Sequence, residues 1–143
     1  MKVTSLFAAA SLLLMLGAAP ALASNAPGTW AMKNGKVTVN VTDCGSGLCG
    51  RIVALKEPIS KIDGKPKIDR ENPDPSLRKR PLIGLSILVG MKSAGENTWK
   101  GAIYNPDDGK TYTGTVKLDG STMKVQGCVL KVLCKTNTFV RVN

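Results

Sequence analysis

From Thr29 onwards, apolar residues recur at every second position in one short segment after another, and each segment stops at a cluster of Gly, Asn, Asp or Pro. That period belongs to strands with one buried face. Apolar residues at helical spacing are missing outside the N-terminal segment. "KVTVNVTDC" sets Val37, Val39 and Val41 on one face against Thr38, Asn40 and Thr42, "CGSGL" turns the chain, and "CGRIVAL" returns it. "LSILVG" is almost wholly apolar, as in a strand covered on both sides. "NTWKGAIYN" leads through "PDDGK" into "TYTGTVKL", where Tyr112, Gly114, Val116 and Leu118 share a face. "DGS" joins this to "TMKVQGC", and "CKTNTFVRV" closes the chain. With an opening strand at "TWAMK" and its "NG" turn, about eight strands are expected. The fold class is all-β: a small antiparallel up-and-down barrel, in which closure removes the edges that a flat meander exposes. A two-sheet sandwich is the alternative.

The first 23 residues carry one charge (Lys2), an apolar run from Leu6 to Leu16 and Ala21-Leu22-Ala23 before Ser24. This is the pattern of a secretory signal peptide, cleaved between Ala23 and Ser24. The run is shorter than the roughly 20 residues that span a bilayer, so no membrane span is expected. Residues 24–143 then form a single domain of 120 residues. It holds 19 basic residues against 10 acidic ones, a net charge of +9. In an exported protein such an excess suits anionic partners such as lipid headgroups or polysaccharide. The five remaining aromatic residues have no spacing that would stack bases, so nucleic acid is not an expected partner.

Four cysteines remain, Cys44, Cys49, Cys128 and Cys134. An even count in an exported chain reads as two disulfides, for which three pairings exist. Local pairing is favoured because each close pair brackets an expected hairpin turn, and a cross-link between the two ends of the chain stays open. The spacings are not those of a zinc knuckle and the chain has no histidine, so no metal is expected.

One stretch breaks the strand rhythm. Lys56 to Pro81, which overlaps "DRENPDPSLRKRPLIG" (Asp69 to Gly84), is long for a connection in a compact domain, where such loops tend to be functional. Prolines follow Asn72 and Asp74 and hold both in extended or turn conformations. Asp74 is placed as a helix N-cap with Pro75 at the first helical position, which predicts one short helical turn stopped before Pro81. That turn is expected to carry Arg78, Lys79 and Arg80 away from the body, and the whole ordered loop to act as a lid or rim over one barrel end.

"GTW" (Gly28, Thr29, Trp30) opens the first strand and Arg141 lies in the last, with about eight antiparallel strands between. The chain thereby resembles the lipocalin-like, or calycin, superfamily. That resemblance implies that Trp30 lies across the closed end of the barrel with Arg141 packed over its ring, a cation–π contact worth about 0.5–2 kcal/mol. More narrowly, "GTW", "CGSGLCGRIVAL", "DRENPDPSLRKRPLIG", "IYNPDDGKTY" and "GCVLKVLCKTNTFVRV" resemble a family of small exported proteins of Gram-negative bacteria catalogued as a domain of unknown function. This resemblance implies export and a lipocalin-like barrel and brings no catalytic residue with it.

Catalysis has little to work with here. Histidine is absent and the cysteines are assigned to disulfides, while the carboxylates Asp63, Asp69, Glu71, Asp74, Asp107 and Asp108 lie in turn sequences. No catalytic residue and no cofactor are expected. Binding is the stronger class. An eight-stranded barrel either holds one small ligand or fills itself with side chains. The ligand-binding candidates are Asp69, Asn72, Asp74, Arg78 and Arg80 from the loop, with Trp99, Tyr104, Asn105 and Tyr112 from the following hairpin. The expected ligand is a small, partly apolar or anionic envelope molecule bound by a monomer. The alternative is an accessory or inhibitor barrel with a filled core that docks on an envelope protein. A charge of +9 argues against a basic lysozyme as that target.

Overall fold

The structure is a computed structural model that describes residues 25–143, so the expected signal peptide lies outside the described residues. Eight strands run in chain order: β1 (Gly28–Met32), β2 (Val37–Cys44), β3 (Gly47–Leu55), β4 (Ser86–Ser93), β5 (Thr98–Asn105), β6 (Lys110–Asp119), β7 (Thr122–Val129) and β8 (Leu133–Arg141). Each pairs antiparallel with its sequence neighbour. The ring closes where β1 meets β8, with Trp30 opposite Arg141 and Met32 opposite Phe139.

The up-and-down order sorts the connections into two ends. One end holds residues 25–27, the β2–β3, β4–β5 and β6–β7 turns and the C-terminus. The other holds the β1–β2, β5–β6 and β7–β8 turns and the long β3–β4 connection. Each disulfide is local. Cys44–Cys49 clasps the β2–β3 hairpin at the first end, and Cys128–Cys134 clasps the β7–β8 hairpin at the second.

Inward faces follow the alternation. Val39 and Val41 are buried in β2, as are Gly114, Val116 and Leu118 in β6. β4 departs from the expected strand covered on both sides. Gly90 adopts φ 58°, a bulge shifts the register between Val89 and Lys92, and Val89 is left exposed while Leu88 and Met91 both face the core.

The first end is solid. Trp30 is fully buried and its indole N–H donates to the Ala26 carbonyl at 2.9 Å. The Arg141 guanidinium lies 4.2 Å from the centroid of the Trp30 ring and donates to the carbonyls of Pro27 (3.0 Å) and Asn25. Gly28 is required beside it: at φ +143°, a Cβ there would overlap the guanidinium. Leu48, Met91, Trp99, Val116 and Leu118 complete this half of the core.

Candidate functional site

The second end is hollow. A cavity of about 620 Å³ opens there, within the roughly 300–1,000 Å³ of pockets that hold small ligands. Its floor is the upper surface of the packed core, formed by Val39, Leu88, Met123, Val125 and Phe139. Met32, Val37, Ile52 and Ile103 continue the apolar wall towards the mouth. The barrel is thus filled over one half and empty over the other.

Polar groups gather at the mouth, and most of them are already engaged. The Tyr112 hydroxyl donates to Asp108, whose second oxygen accepts the Lys110 N–H at 2.9 Å. Burial works against the Asp108 charge, but these bonds and one from Asn105 outweigh it and hold the carboxyl below its ordinary value. The bond to Asp108 raises the Tyr112 hydroxyl in turn. The Asn105 side-chain carbonyl accepts the Asp107 N–H at 3.2 Å. Lys36 in the β1–β2 turn donates to Asp107 in the β5–β6 turn at 2.5 Å. Two polar side chains on the wall are different: Lys135 and Asn137 of β8 line the cavity, and neither has a side-chain hydrogen bond or ion pair among the described residues.

The candidates read from the sequence divide between two places. Tyr104, Asn105 and Tyr112 line the cavity. Asp69, Asn72, Asp74, Arg78, Arg80 and Trp99 do not. Trp99 is 6% exposed and packs in the solid half. The five loop residues are bound to one another instead. Asp69 is fully buried. One of its oxygens accepts the Tyr104 hydroxyl at 2.5 Å, and the other accepts Asn72 Nδ2 and Arg80 Nε, each at 2.8 Å. Burial first, then the bond to Asp69, raises the Tyr104 hydroxyl above its ordinary value. Arg78 turns back to donate to the Asn72 carbonyl at 2.6 Å. Arg78 and Arg80 therefore tie the loop down rather than projecting from it, because a buried carboxylate and a free carbonyl attract both guanidinium groups.

The short helical turn forms where expected, as a 3-10 turn over Pro75–Leu77 with Asp74 as its cap. Hydrogen bonds from the Ser76 hydroxyl and N–H hold the Asp74 carboxyl below its ordinary value. Leu82 and Leu85 pack against Ile52 with Tyr104 beside them. Gly109 at φ +69° lies against the Glu71 carbonyl, where a Cβ would collide. The loop is therefore a rim bolted to the β5–β6 hairpin. Only Glu57, Lys67 and Leu82 of it reach the cavity wall, so it is not a lid.

Lys135 and Asn137 were missed at the sequence level although a signal for them existed. Alternation along "KTNTFVR" places both on the face of Phe139 and Arg141, the face that the lipocalin-like resemblance turns inward.

Among the described residues, no helix is long and apolar enough to cross a membrane and no cluster of three or more metal-ligating side chains occurs. The two disulfides point to an oxidising compartment. Residues 28–141 match the family described as "Uncharacterized protein conserved in bacteria (DUF2147)". No curated protein matches the chain. Among solved structures it is similar to protein HP1028 from Helicobacter pylori, described as belonging to the lipocalin family. The TM-score is 0.71 at 22% identity, with 85% of each chain covered. That likeness establishes a lipocalin-like barrel.

Proposed function

This chain belongs to the DUF2147 family of uncharacterized bacterial proteins, and we propose that it is an exported binding protein for a small amphiphilic molecule of the cell envelope. The observation that carries this reading is the half-filled barrel. An apolar cavity of about 620 Å³ has on one wall two polar side chains, Lys135 and Asn137, that have no side-chain partner among the described residues. An apolar body gains by leaving water for the floor at Val125 and Phe139, at about 25 cal/mol per Å² buried. Lys135 offers a charge and Asn137 a hydrogen-bonding amide to an anionic or polar head. The lipocalin-like fold supports a small ligand in general terms, and the filled core that a purely protein-docking barrel would have is limited to the other half. One barrel supplies the entire cavity wall, so a monomer suffices. Export rests on the N-terminal 23 residues, with cleavage after Ala23, and on the two disulfides.

The test is a fluorescence titration with an anionic fatty-acid analogue carrying a fluorophore. Saturable binding is expected, weakened about tenfold by Lys135→Glu through reversal of the head-group contact. Gly127→Trp should abolish it. Gly127 lines the cavity with negative φ, and a Cβ there meets nothing closer than Tyr112 Cβ at 3.4 Å, so the ring enters empty space. Equal probe binding by all three proteins would sink the cavity as the site.

A further inference from the structure

The β7–β8 turn carries an apolar tip that no core claims. Leu130 is 85% exposed, Val132 79% and Leu133 73%, three of the four most exposed large apolar side chains among the described residues. The fourth, Ile62, also belongs to a connection at the open end. The tip is held out by construction. Val132 N–H bonds to the Val129 carbonyl at 3.3 Å, and Leu130 (φ 52°) and Lys131 (φ 60°) between them both adopt left-handed backbone. A hairpin turn of this kind favours Asn-Gly, so Leu-Lys is an uncomfortable occupant. The Cys128–Cys134 disulfide clasps the hairpin directly behind it.

The charge on the hairpin itself has one sign. No acidic residue occurs from Gly120 to Asn143, while Lys131 lies between Leu130 and Val132 and Lys135 follows Cys134. The β1–β2 turn lies lower, with Lys33 N–H on the Thr138 carbonyl of β8, and the β5–β6 turn on the other side carries Asp107 and Asp108, which Lys36 and Tyr112 engage. The tip is also continuous with the cavity, since Val129 and Leu133 line its wall.

We propose that the Cys128–Cys134 hairpin is a docking finger for a bilayer bearing anionic lipids. Leu130 and Val132 enter the boundary between headgroups and acyl chains, Lys131 between them faces the phosphates, and the cavity mouth, with Lys135 on its wall, is turned towards the membrane. An apolar hairpin tip with a cation at its centre and no acid of its own is a composition that an anionic interface rewards on both counts. A second copy of this chain would instead set lysines against lysines. The docking rests on the exposed surface alone; that docking serves ligand transfer rests on the binding role proposed above.

The full chain is expressed with export, and the mass of the purified product establishes its N-terminus before use. Flotation with vesicles of phosphatidylcholine, with and without phosphatidylglycerol, reads the docking. Binding to the anionic vesicles only, weakened by salt, is expected, with Leu130→Asp/Val132→Asp lowering it by about tenfold or more. Aspartate suits left-handed backbone better than leucine, so this variant keeps the fold. A Val132→Trp variant should shift its emission to the blue on anionic vesicles, over a constant background from Trp30 and Trp99, which are buried. No vesicle binding by the parent protein, undiminished binding by the Asp variant, or self-association that this variant abolishes would each overturn the proposal. Gly127→Trp separates the two readings: vesicle binding that survives without probe binding leaves the finger standing, and probe binding without vesicle binding refutes the finger alone.

Discussion

Lys36 and Asp107 form an ion pair across the mouth of the barrel, with Nζ 2.5 Å from Oδ2. Their turns, β1–β2 and β5–β6, lie on opposite sides of the eight-strand ring, so the pair is a strap over the cavity entrance. Both side chains are more than half exposed, and an exposed pair is worth at most about 1 kcal/mol. A strap this weak opens readily. Lys36→Ala or Asp107→Ala should leave unfolding by urea unchanged while speeding both association and dissociation of the fatty-acid probe in stopped-flow measurements. Unchanged rates would mean that ligands enter elsewhere.

The rim depends on one buried carboxylate. Asp69 is fully buried, and Arg80 is the cation beside it, at 2.8 Å. Arg80→Leu strands that charge, which costs about 3–5 kcal/mol. Tyr104→Phe removes one hydrogen bond to a charged acceptor, a loss of about 1.5–3 kcal/mol. Urea denaturation should rank the two in that order. Losses below about 1 kcal/mol for both would show that water reaches the carboxylate.

At the solid end, Gly28 and Arg141 act as one unit, because the missing Cβ of the glycine is the space that the guanidinium occupies. Gly28→Ala and Arg141→Met should each destabilise by about 1–3 kcal/mol, through the lost ring contact and the freed carbonyls. The double variant should fall short of the sum, since either change already expels the guanidinium. Strict additivity would refute this coupling.

The protein has two tyrosines, and both hydroxyls titrate above their ordinary value of 10.0. For a phenol, a raised folded value means that the unfolded chain loses its proton first. The stabilisation is therefore complete below the unfolded value and declines as pH rises through it. Phenolate absorbance should appear at higher pH in the native protein than in urea, and Tyr112→Phe should leave a delayed titration from Tyr104 alone. Superimposed native and unfolded curves would contradict the bonds to Asp69 and Asp108.

The strand order and the inward phase of β2 and β6 were legible because period-2 alternation needs only local information. So was the 3-10 turn, which Asp74 and Pro75 specify between them. The β4 strand was misread because the bulge at Gly90 lets two residues out of phase, Leu88 and Met91, both face inward, and an all-apolar run conceals the shift. The loop candidates lie off the cavity for a longer-range reason. Asp69 meets Arg80 only after Ile68 bridges to Pro81, and it meets Tyr104 only when the loop lies against β5. Composition around Asn72 and Arg78 looks the same whether such groups serve a ligand or one another. The hollow was not legible either, because Val39, Val125 and Phe139 read as core whether they meet side chains or empty space.

Native mass spectrometry of the protein purified gently from its own host tests the central claim most directly. The account predicts a reproducible added mass that is lost on denaturation and absent from Gly127→Trp, together with a polypeptide carrying two disulfides. A bare polypeptide mass for the parent protein, with no small amphiphile recovered on extraction, would contradict it.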